Sequence, residues 1–204
     1  MNPMPDNYAR IVRDNLERLD WNDLDGLAER LLARSKSEGI VFRAFGNECL
    51  LSENGILLDG LSETGPIGIL ISLYALHCAP EPAATAPFKA FKELPGSLPY
   101  AGAFASRTEA ALTAHADRLI QKIDALKAAF GGADPPVDMP GDAAVVLRPL
   151  PKIVLCYLLY RGDEDFPAAA TCLFGADAER FLPTDALADV GEYTSRRLVA
   201  LVGD

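Results

Sequence analysis

An α+β domain, with helices packed on a mostly antiparallel sheet, is the fold that the sequence predicts. Three observations predict it. Segments with helical spacing of apolar residues stand apart from short β-branched runs. Asn54-Gly55, inside "LLSENGILL", is a strong two-residue hairpin signal. The best strand candidates, "AAVVLRP", "KIVLCYLLY" and "AAATCLF", follow one another with no helical stretch between them, which favours antiparallel pairing over a doubly wound nucleotide fold. At 204 residues, half of them hydrophobic, the chain is long enough for one sizeable core. We expect one domain over 1–204, with a helical pair at 1–35 and an α+β core at 36–204.

The chain opens with Ile11, Val12, Leu16 and Leu19 on one helical face. Leu24, Leu27, Leu31 and Leu32 then share another, with Asn22 as N-cap. Strands are expected at about 39–45, 48–52 and 55–59. "PIGILISLYALHC" is apolar nearly all round and starts after Thr64-Gly65 with Pro66; periodicity admits a buried strand as well, and length favours a buried helix. "APEPAATAP" is a connector, "FKAFKEL" a strand and "PGSLP" a turn. "SRTE" at 106–109 has capping-box spacing. The helix expected after it carries Leu112, Ala116, Leu119, Ile120, Ile123, Leu126 and Phe130 as one stripe and ends at Gly131-Gly132. "GGADPPVDMPGD" is a loop, and Thr184 is expected to cap a last helix with Leu187, Val190, Thr194, Leu198 and Leu201 inward.

Charge narrows the functions. With 19 basic and 29 acidic residues the formal charge is -10, which repels nucleic acid and anionic membrane surfaces. There is no run of apolar residues long enough to span a bilayer and no apolar signal core, so a cytoplasmic protein is expected. Cys49, Cys78, Cys156 and Cys172 lie among aliphatic and aromatic neighbours and form no C-x-x-C pair, so they are expected as buried thiols. G-x-S-x-G, G-x-x-x-x-G-K-[ST], H-E-x-x-H and G-x-G-x-x-G are all absent, against an ordinary hydrolase, kinase or dehydrogenase.

Two stretches stand out. "FKAFKELPGSLPYAGAFASRTE" concentrates Lys89, Lys92 and Arg107 among Phe88, Phe91, Tyr100 and Phe104. Lys89, Lys92, Tyr100 and Arg107 are candidate ligand-binding residues for an anion, with Ser106 expected to open a helix whose N–H groups add to the site. The plainer reading makes the aromatics core and the lysines an edge-strand device. "YRGDEDFP" runs an apolar strand into Asp163, Glu164 and Asp165. A solvated hairpin turn accounts for it, with Phe166-Pro167 returning the chain to the core. These acids and His77 are weak metal candidates, since the spacing of a calcium loop is missing. His77 suits a helix end, and His115 is expected to be exposed.

"FKELPGSLPYAGAFASR" and "RPLPKIVLCYLLYRGDEDFPAAATCLFGADAERFLPTDAL" resemble the two signature blocks of an uncharacterised prokaryotic family, domain of unknown function 3786, over roughly residues 60–200. The family's second block shows a proline-flanked strand, a "GDEDFP"-like turn, an "LF" strand and a "FLPTD"-like helix start. The resemblance implies an anaerobic setting. Some relatives carry an added iron-sulfur domain similar to that of corrinoid iron-sulfur proteins, which implies one-carbon or corrinoid metabolism. This chain has no cysteine before Cys49, so no cluster of its own is expected.

The expectation is therefore a binding or accessory domain for an anionic small molecule, such as a tetrapyrrole-type cofactor. Its alternatives are a metal-dependent enzyme using Asp163, Glu164 and Asp165, or a module that docks a protein partner. The sequence leaves the cofactor and the oligomeric state open.

Overall fold

The computed structural model describes residues 7–84, 86–136 and 138–203; the first six residues of the amphipathic N-terminal stretch, and Val137 in the "GGADPPVDMPGD" loop, lie outside them. Helices α1 (Asn7–Leu16) and α2 (Leu24–Leu31) lead into a meander of strands β1 (Arg34–Lys36), β2 (Gly39–Ala44), β3 (Asn47–Ser52), β4 (Gly55–Leu58) and β5 (Leu61–Ser62). These pair in sequence order as sheet A, antiparallel throughout. Helix α3 (Pro66–His77) follows, with Pro66 in its first turn. Sheet B has the order β6-β9-β8-β7, built from β6 (Phe88–Ala90), β7 (Ala143–Leu150), β8 (Ile153–Tyr160) and β9 (Ala169–Gly175). All of its pairings are antiparallel too. The fold class agrees with the sequence, a mixed α+β fold, and so do β2, β3, β4 and β7–β9; β1 and β5 were not expected, and the strand expected over "FKAFKEL" ends at Ala90.

Alternation explains the layers. In sheet A, Ile40, Phe42, Ala44, Cys49, Leu51 and Ile56 face the core, while Arg34, Val41, Arg43, Glu48 and Leu50 fall on the opposite face through the pairs Arg34↔Val41, Val41↔Leu50 and Arg43↔Glu48. Strand β8 is buried along nearly its whole length, as its unbroken apolar run requires. Ile153, Leu155, Tyr157 and Leu159 join the main core, whereas Val154, Cys156 and Leu158 meet Val146 in a second cluster on the outer face. Ala83 from the connector and Met139 from the 131–142 loop cover that cluster. The connector is therefore structural. Lys152, between β7 and β8, is 3% exposed and donates to Ala79 O (2.8 Å) and Pro80 O (2.9 Å), which ties the connector to the sheet.

Several helix boundaries differ from the sequence expectation. Asp23 rather than Asn22 caps α2, its Oδ1 accepting from Gly26 N at 2.9 Å. Leu32, expected inside, adopts φ 53 and ends α2 as a left-handed cap; it is 64% exposed. The helix expected to open at Ser106 begins earlier. A helical run from Leu98 passes through α4 (Ala101–Phe104), a wide π-type turn at Ala105–Glu109 and a 3-10 segment at Ala110–His115. It then continues as α5 (Ala116–Gln121) and α6 (Ile123–Phe130). Ser106 is interior to this run, so it offers no helix start to an anion. Within the stripe, Leu112, Ala116, Leu119, Leu126 and Phe130 are buried and Ile120 and Ile123 half-buried, as the spacing requires. Gly131, at φ 59, closes α6. Pro183 precedes α7 (Thr184–Val202) without a side-chain cap; Thr184 instead donates to Pro95 O at 2.8 Å and fastens the "PGSLP" turn to α7. Leu201 is 38% exposed, and Val202 takes its place inside.

Candidate functional site

A groove of about 510 Å³ lies where the outer face of sheet A meets the end of α6 and the β7–β8 turn. Its polar lining is three arginines, Arg34 on β1, Arg43 on β2 and Arg148 on β7, with Glu48. Val41, Phe42 and Phe130 supply apolar surface, and exposed Leu32 stands at the rim. Two contacts fix the walls. Arg43 Nη1 donates to Ala128 O and Ala129 O, both at 2.8 Å, which satisfies carbonyls at the end of α6. Phe45 N donates to Pro149 O at 2.7 Å, locking the end of β2 to β7.

The guanidinium groups are only partly committed. Arg148 uses Nη1 on Pro151 O at 3.3 Å. The Arg34 side chain makes no hydrogen bond or ion pair to any described residue. An arginine carries five N–H donors in a planar fork, so unspent donors remain in the groove beside apolar side chains. An anion with an apolar body fits this chemistry. Sequence reading missed the groove because its arginines come from opposite halves of the chain; the one local signal was Arg43 alone in an otherwise buried β2.

Lys89, Lys92, Tyr100 and Arg107 are spread over four segments. Strand β6 stops at Ala90, where Glu93 Oε2 accepts from Ala90 N at 2.6 Å and the chain turns into a 3-10 segment at Phe91–Glu93. Lys89 therefore stays with the sheet and donates to Ala176 O at 3.0 Å. Arg107 pairs with Glu192 at 3.5 Å, and Arg196 holds the other oxygen of the same carboxylate. Tyr100 is 40% exposed. Lys92 lines a recess of about 260 Å³ with Phe91, Phe104, Ala105, Glu109 and Thr171. Phe91 and Phe104, stacked at 4.3 Å, form its aromatic base, and buried Phe174 packs against both rings. Glu109 is no capping residue: its Oε1 accepts from Cys172 N at 3.0 Å, one residue beyond the last β6–β9 pair. Burial raises the Glu109 carboxyl, opposed by the Cys172 N–H and by Lys92.

The acid turn is exposed from Arg161 to Pro167. Asp163 Oδ1 accepts from Asp165 N (2.9 Å) and Phe166 N (2.7 Å), and Asp163 N donates to Phe166 O at 2.9 Å. Asp163 thus folds the turn around itself. Phe166, expected to return the chain to the core, is 70% exposed. No group of three His, Cys, Asp or Glu able to hold a metal occurs among the described residues. Exposed His77 ends α3, far in sequence from the acids. His115 is half-buried rather than exposed, with Nδ1 buried and unpaired. All four cysteines are free and buried; burial pushes the Cys49 thiol up to about 12 and Cys156 up to about 11, far from the thiolate a nucleophile needs. No helix among the described residues is long and apolar enough to cross a membrane.

No curated protein and no solved structure matches the chain. The profile of one family, described as a domain of unknown function (DUF3786), matches residues 23–197. The match takes in α2 and the whole of sheet A as well as the two signature blocks, so both walls of the groove and the smaller recess fall inside it. The chain belongs to the DUF3786 family.

Proposed function

We propose that this is a binding domain whose ligand is an anionic small molecule with an apolar body, held in the arginine groove. One observation carries the reading: Arg34, Arg43 and Arg148, from three strands of two sheets, line one cavity in a chain of net charge -10. Arginine is the side chain suited to planar carboxylate and phosphate recognition. The volume is within the range of about 300–1,000 Å³ usual for small-molecule sites. The reading moves the anion away from the stretch around Lys89, Tyr100 and Arg107, because Lys89 and Arg107 already have protein partners. A tetrapyrrole, an apolar disc with carboxylates, belongs to the ligand class this groove would admit.

The test is a fluorescence titration with 8-anilinonaphthalene-1-sulfonate, an anion on apolar rings, and an absorption titration with protoporphyrin IX. Saturable binding of the sulfonate is expected, weakened about tenfold by Arg34→Met and again by Arg148→Met. Unchanged affinity in the double variant would refute the groove as the site. Protoporphyrin competing with the sulfonate would place a tetrapyrrole within its ligand class, and failure to compete would remove it.

A further inference from the structure

The recess under the first signature block is a second, chemically different site. It lies between the 3-10 segment at Phe91–Glu93, the helical run at Ala101–Glu109 and strand β9, and encloses about 260 Å³. Ala101, Phe104, Ala105 and Glu109 present one helical face to it, the last brought round by the π-type turn. Opposite charges stand on its wall. Lys92 and Glu109 both line it, and Lys92 lies near enough to favour the ionised Glu109 carboxylate. Yet they form no ion pair, and Lys92 makes no hydrogen bond to any described residue. Glu109 spends Oε1 on the Cys172 N–H, while Oε2 has no hydrogen-bond partner among the described residues.

Two complementary charges that share an apolar recess without meeting leave room for a ligand that meets both. An anion would be repelled by Glu109, and a cation by Lys92. We infer that the recess binds a small zwitterion with an apolar or aromatic side chain, of the α-amino acid class. Its carboxylate takes Lys92 Nζ, its ammonium takes Glu109 Oε2, and its side chain lies on the Phe91–Phe104 base. The structural task of Glu109, satisfying the β9 N–H where β6 departs, uses one oxygen and leaves the other for this role. The inference does not depend on the arginine groove, which shares none of these residues.

Isothermal titration of the full chain with L-phenylalanine tests it, with 3-phenylpropanoate lacking the ammonium and phenethylamine lacking the carboxylate. L-Phenylalanine should bind saturably and each analogue at least about tenfold more weakly, the loss of one charge-assisted contact. Glu109→Gln keeps an acceptor for Cys172 N, and Lys92→Met keeps the aliphatic stem; each variant should lower L-phenylalanine affinity about tenfold. The variants should also level the discrimination: Lys92→Met no longer separates L-phenylalanine from phenethylamine. The inference is overturned if neither L-phenylalanine nor L-leucine binds, if the analogues bind as well as the amino acid, or if both variants, folded by circular dichroism, keep wild-type affinity. Sulfonate binding that persists in Lys92→Met shows that the groove and the recess are separate sites.

Discussion

Sheet A turns one face to the core and leaves the other to the arginine groove, whereas β8 at the centre of sheet B is buried on both faces. The difference is chemical as well as geometric. A strand covered on both sides must be apolar at every position, and "IVLCYLLY" is, so it has no side chain to spare for a ligand. A half-covered strand can alternate, and β2 places Arg43 outward between inward Phe42 and Ala44.

The contrast can be broken most directly by truncation. Leu155→Ala in β8 should destabilise by about 2–5 kcal/mol in urea unfolding, while Leu57→Ala, half-buried on β4, should cost less than about 2 kcal/mol. Equal costs would mean that the outer face of sheet A is covered in solution. Next comes Gly191 on α7. A Cβ built there would lie 2.5 Å from Phe104 Cε2 and 3.1 Å from Thr108 Cγ2, so Gly191→Ala should cost about 1–3 kcal/mol by pushing α7 off the π-type turn. Thermal unfolding of that variant also probes whether the helical run and sheet B melt together. Arg34→Met should change ligand affinity by about 1.4 kcal/mol, a factor of ten, and fold stability by less than about 0.5 kcal/mol. A large stability loss would recast Arg34 as structural. The smallest effect belongs to the acid turn: Asp163→Ala should cost about 0.5–1 kcal/mol through its lost turn bonds, and Glu164→Ala, which makes none, close to nothing. Loss of ligand binding in Glu164→Ala would show that the turn takes part in recognition.

Legibility followed the same division. Leu112, Leu119, Leu126 and Phe130 were readable as a stripe because a helix repeats its inward face at fixed intervals, and that rule needs only local sequence. Ser106 and Thr184 misled because capping residues are judged against a helix start, and neighbouring segments decide where the start falls. The basic excess at 88–107 was real as composition, but β6 ends after three residues and sends Lys89 and Lys92 to different places.

By itself, the sequence determined the α+β class, the antiparallel strands, the buried thiols and the family, since hydrophobic spacing and local motifs carry that information along the chain. Only the tertiary structure decided which polar groups meet. Arg34 and Arg148 line one groove because the end of β2 docks on β7, and Glu109 reaches β9 across 63 positions through a π-type turn. Such meetings depend on how layers pack, which the period of a single element does not encode.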